Sequence, residues 1–119
     1  MHELSIAAHV VDIAARHADE RRVTKVYLRV GHLRQVVPSA LSFSFDLVAQ
    51  GTPVETAELI LEEVPAAGLC RECGVESRLE AFPLQCGACG GLDLEITQGE
   101  DLYVESLEME ENEKLAADR

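Results

Sequence analysis

Four cysteines stand in two pairs, CREC and CGAC, so that Cys70, Cys73, Cys86 and Cys89 form C-x2-C-x12-C-x2-C. This is close to the spacing of tetrahedral zinc sites built from four thiolates. A glycine follows each pair (Gly74; Gly90 and Gly91), and Gly87 lies inside the second. Glycine permits the left-handed turn that folds backbone N–H groups toward the sulfurs. Four cysteines close the coordination sphere and leave no position for water, so the expected Zn(II) is structural rather than catalytic. Two other chemistries compete for these residues. Disulfides belong to oxidising compartments. A thioredoxin-like redox site uses one C-x-x-C between a strand and a helix, unlike two facing pairs.

A second candidate lies at the start, MHELSI. The Met1 amine, the His2 backbone nitrogen and the His2 ring Nδ1 can close fused five- and six-membered chelate rings around one metal. Such planar nitrogen sets suit Ni(II) and Cu(II). The Glu3 backbone nitrogen or carboxylate is placed to supply a fourth ligand. In itself, a histidine at position 2 is more commonly idle. Helical phase brings His9 near the same face, but seven residues put it about 10.5 Å further along the axis, too far to share an ion. His9 and His17 read as surface or packing residues, and His32 follows the first strand.

These groups need a scaffold. Leu4, Ala7, Val11, Ala14 and Ala18 recur at helical spacing, widened by Val10 and Ile13, which predicts a buried amphipathic helix. Val26, Leu28 and Val30 alternate with Lys25, Tyr27 and Arg29 as a half-buried strand ended by Gly31. Pro38 and Ser39 can open a second helix carrying Leu41, Phe45 and Val48 on one face, with Gly51 closing it. AELILEEV and LYVESLEM read as two more strands, the latter through Tyr103, Leu107 and Met109. Between them lie all four cysteines and six of the eight glycines. The expected fold is α+β: a small mixed three-stranded sheet with two helices, plus an inserted four-cysteine, zinc-ribbon-like lobe. The second helix is the crossover between two parallel strands. The expected domains are a body of residues 1–64 and 100–110, a lobe of residues 65–99 and an acidic tail of residues 111–119. The lobe has too little apolar material to fold without its metal.

The formal charge of -12 over 119 residues repels phosphate backbones and anionic head groups, so neither nucleic acid nor a membrane is an expected partner. Half of that excess sits in residues 100–119. Glu3 and Asp12 break any signal-peptide pattern, and no apolar run approaches a membrane span, which predicts a cytoplasmic protein. No Ser/His/Asp or Cys/His pairing and no P-loop is present, so an enzyme is not expected.

Together, MHELSI, VGHLRQVVPSALSFSF, AELILEEVP, the CREC and CGAC pairs and DLYVESLEME resemble the HypA/HybF family of hydrogenase maturation proteins, which are nickel metallochaperones. The resemblance implies Ni(II) bound near His2 with Glu3 alongside, and structural Zn(II) on Cys70, Cys73, Cys86 and Cys89. It further implies delivery to a hydrogenase large-subunit precursor, with a GTPase maturation partner. Some members are thought to add an acidic ligand from the loop after the first strand, yet residues 32–45 here contain no Asp or Glu. Hydrogenase and urease both stand as acceptors, and a homo-oligomer is compatible with the sequence. The alternative is a zinc-ribbon interaction adaptor that binds no nickel.

Overall fold

The computed structural model describes residues 2–110. Met1, the amine of the expected chelate, and the acidic tail of residues 111–119 lie outside the described residues. By internal contacts the chain forms two compact units, one containing the stretch through Leu28 with Val36–Leu61, the other Arg29–Gln35 with Glu62–Leu102.

In the first unit, α1 spans Glu3–His17 and buries Ile6, Ala7, Val10, Val11 and Ala14. Leu4, expected in that stripe, is instead exposed, and the buried positions of the helix begin two residues later with Ile6 and Ala7. The helix α2 (Pro38–Ala49) starts on proline, whose fixed φ suits the first helical position. It buries Leu41, Phe45 and Ala49, packs on α1, and ends before Gly51, whose φ is +79°. With Val23, Val26, Leu28 and Val54, the residues Leu41 and Phe45 make an aliphatic core with one aromatic ring. On the outer side of α2, Phe43 and Leu47 stand one turn apart and exposed.

The strands β1 (Val23–Gly31), β2 (Glu58–Val64) and β6 (Leu102–Met109) form a sheet in the order β2-β1-β6. Arg22 meets Thr56 and Arg29 meets Glu62, so β1 and β2 climb together in the parallel sense that a helical crossover requires. In contrast, Glu110 N–H donates to the Arg22 carbonyl and Gly31 N–H to that of Asp101, so β6 runs antiparallel. The sheet is therefore mixed. Tyr103 is exposed. The half-buried positions of β6 are Leu102, Val104, Leu107 and Met109, an alternation that changes phase after Val104.

The cysteine unit contains a second sheet that the turn-rich sequence concealed. Here β3 (Ala67–Cys70) pairs antiparallel with both β4 (Glu76–Arg78) and β5 (Leu94–Gln98). The 3-10 turn His32–Arg34 belongs to this unit. Leu33 N–H donates to the Gly99 carbonyl at 2.9 Å, and Arg34 Nε to that of Glu100 at 2.7 Å. Gly31 and Gly99 make this approach possible. A Cβ on Gly31 would overlap the Gly99 carbonyl, and one on Gly99 would strike the Ala66 backbone. Because the obstacle is main chain, Gly31→Ala should cost about 3 kcal/mol, at the upper end for overpacking. Thermal denaturation of zinc-loaded protein checks this, and an unchanged midpoint would show that the crossing relaxes freely.

Candidate metal centres

In the second unit the four cysteines converge: all four Sγ atoms lie within 4.8 Å of one another. Cys70 and Cys89 sulfurs are 3.6 Å apart, and those of Cys73 and Cys86 3.5 Å. A tetrahedron with Zn–S bonds of about 2.3 Å has sulfurs separated by about 3.8 Å, so the donor set has the dimensions that ion needs. Cys70 and Cys86 are buried while Cys73 and Cys89 are exposed.

The two pairs are built alike. Gly74 N–H bonds to the Cys70 carbonyl and Gly90 N–H to that of Cys86, both at 2.9 Å. Cys70 N–H in turn donates to the Val75 carbonyl, and Cys86 N–H to that of Gly91. Gly74 and Gly90 take φ of +77° and +75°, the left-handed conformation that glycine adopts without a Cβ penalty. These turns direct main-chain donors onto sulfur: Cys73 N–H reaches Cys70 Sγ at 3.4 Å, Ala88 N–H reaches Cys86 Sγ at 3.3 Å, and Gly91 N–H reaches Cys89 Sγ at 3.3 Å. Ser77, which sequence reasoning missed, braces the second loop, accepting from Gly87 N–H at 3.0 Å and lying 3.8 Å from Cys86 Sγ.

This wiring divides the thiols. The N–H groups of Cys89 and Ala88 hold Cys86 down to about 6. Gly91 N–H draws Cys89 down too, but the adjoining Cys70 and Cys73 sulfurs outweigh it and push that thiol up to about 12. Four neighbouring thiols cannot all ionise in the absence of a cation. A dication removes that conflict, and its binding releases protons.

Little else holds this unit. Beyond the two cysteines its buried apolar side chains are Val30, Ala66 and Leu79, whereas Val75, Phe82 and Leu92 are exposed. Fully burying a leucine or valine contributes about 1.5–3 kcal/mol. Structural zinc contributes about 10–16 kcal/mol in small peptides, so the thiolate cluster suits a metal ion such as zinc and outweighs the apolar contribution.

His2 and Glu3 lie in the first unit. His2 is the N-cap of α1, exposed, with φ -88° and ψ 116°, and its carbonyl accepts from Ile6 N–H at 3.2 Å. Its main chain is thus part of the helix start. Glu3 is the first helical residue, and its Oε2 accepts from Val37 N–H at 3.1 Å. Sequence periodicity could not reveal that bond, since it joins residues 34 positions apart. His9, His17 and His32 are all exposed. Among the described residues, the four cysteines are the sole group of three or more His, Cys, Asp or Glu side chains converging on one point, and His2 has no such company.

Residues 1–109 match the sequence model of HypA, described as hydrogenase/urease nickel incorporation, metallochaperone. The chain belongs to the HypA family. HypA relatives named as hydrogenase maturation factors include one from Geotalea uraniireducens, 44% identical over 110 residues that cover 92% of this chain and all of the relative. Another, from Trichodesmium erythraeum, is 39% identical and covers 93% of this chain and 97% of its own. In fold the chain is similar to the solution structure of a Ni metallochaperone HypA from Helicobacter pylori. That likeness has a TM-score of 0.66 at 23% identity and covers 92% and 97% of the two chains. HypA proteins are maturation factors rather than enzymes, and their part in nickel incorporation implies contact with other maturation proteins. No helix among the described residues is long and apolar enough to cross a membrane.

Proposed function

We propose that this HypA-family chain is a cytoplasmic carrier that binds Ni(II) at its N-terminus and delivers it to the large-subunit precursor of a [NiFe]-hydrogenase, with a GTPase partner. The observation that carries the reading is the family match over residues 1–109, which includes the MHE start. Nickel donors are the Met1 amine, the His2 main-chain nitrogen and the His2 imidazole, with Glu3 alongside. A chelate built largely on terminal and main-chain nitrogens suits Ni(II). Zn(II) on Cys70, Cys73, Cys86 and Cys89 is structural. The body of residues 1–64 and 100–110 carries the nickel terminus, and residues 65–99 form the metal-stapled lobe.

Nickel titration of zinc-loaded, untagged protein tests this. One equivalent of nickel per chain, bound without zinc release, is the expected result. A chain that takes up no nickel while keeping its zinc would instead be a zinc-ribbon adaptor.

A further inference from the structure

The start of α2 has an unusual cap. Val37 occupies the N-cap, and no side chain within the segment bonds to the exposed N–H groups of the first turn. The Val37 N–H itself is satisfied from elsewhere, by the Glu3 carboxylate of α1 at 3.1 Å. A capping box does the same within one helix, its acidic residue reaching back to the N-cap N–H. Here the reach crosses between helices. Glu3 adjoins His2, whose carbonyl closes the first turn of α1, so one carboxylate joins the two helix starts beside the terminal imidazole. Residues 32–45 contain no acidic residue that could take its place.

We propose that Glu3 is a positioning residue for the nickel terminus: its carboxylate stays on the Val37 N–H, holding the His2 donors against the start of α2, and does not enter the nickel coordination sphere. This rests on the nickel reading above. Two observations favour it. The oxygen is already engaged by a main-chain donor in good geometry. The positive end of the α2 dipole favours an anion at that point. Glu3 then shapes the site as an outer partner does, by fixing where the ligands stand.

The test compares zinc-loaded, untagged wild type with Glu3→Gln, Glu3→Ala and His2→Ala, using nickel calorimetry, nickel X-ray absorption and amide exchange at Val37. Gln retains an oxygen that can accept from Val37, so Glu3→Gln should bind nickel nearly as wild type does, with the same donor set. Glu3→Ala should lose about 10- to 100-fold in affinity, the usual cost of deleting an outer partner. Its nickel-saturated spectrum should be unchanged, while exchange at Val37 accelerates. If Glu3→Gln falls with Glu3→Ala and the spectrum loses an oxygen donor, the carboxylate is a ligand and the proposal fails. If both variants keep full affinity, the bond is merely structural and it fails too. Should Glu3→Ala not fold, the Glu3→Gln comparison still decides between positioning and ligation. Collapse of the nickel reading has a different signature: wild type binds no nickel, or His2→Ala binds it as tightly as wild type.

Discussion

Serine at Cys86 is expected to strip the metal from the thiolate cluster and unfold the surrounding unit, leaving α1, α2 and their shared core in place. Cys86 is buried, lies 3.5 Å from the Cys73 sulfur, and receives main-chain N–H groups from Ala88 and Cys89. Serine supplies no thiolate, and a hydroxyl is a far poorer zinc ligand at neutral pH. The loss is a large part of about 10–16 kcal/mol, against a few kcal/mol from Leu79 and Ala66. The helical core does not draw on that term, because Phe45, Leu41, Leu28 and Val54 belong to the first unit. Metal content, far-ultraviolet dichroism and amide exchange separate the two responses. Full zinc occupancy in the variant, or loss of the helical signal together with the lobe, would refute a unit held by metal. Acid should reproduce the effect in wild type, since protons compete for the same sulfurs.

The second large effect concerns the other end of the chain. His2→Ala, or a non-histidine tag that converts the Met1 amine to an amide, should remove most nickel affinity and leave zinc at full occupancy. The drop should exceed the about 10- to 100-fold expected for an outer-shell partner, because a ligand and a chelate ring are lost together. Nickel should also leave the untagged protein as the pH falls, since the amine and imidazole must be deprotonated to ligate. Calorimetry on tagged and untagged protein is decisive. Equal affinities would sink the terminal chelate, and His32 would be the next residue to substitute.

Much of this architecture was legible because its signals are local. A period of two over Val26, Leu28 and Val30, proline ahead of Leu41 and Phe45, and glycine after each cysteine pair all act within a few residues, and the elements formed where those signals lay. What escaped depends on distant pairs. The lobe's sheet rests on β4, three residues long, whose pairing with β3 has no counterpart in composition. The run LEITQ does alternate, and together with Gly99 it was the one available signal for β5. Ser77 and the Glu3–Val37 bond were silent for the same reason, since a hydroxyl or carboxylate on a surface element names no partner. At the cysteines, four residues of one rare type carried the site into plain view; at His2, a lone residue could not.

The matching turns at Cys70 and Cys86 have a kinetic meaning. Each pair is closed by its own short backbone bonds, none of which reaches across to the other pair, so each is a half-site that brings two sulfurs together on its own. Only the twelve residues between Cys73 and Cys86 then separate half a site from a whole one. A tether of that length keeps the second pair at an effective concentration on the order of millimolar. Closure is therefore an encounter within one molecule, and the sequence distance between the pairs, more than the affinity of either, governs how fast a captured ion becomes enclosed.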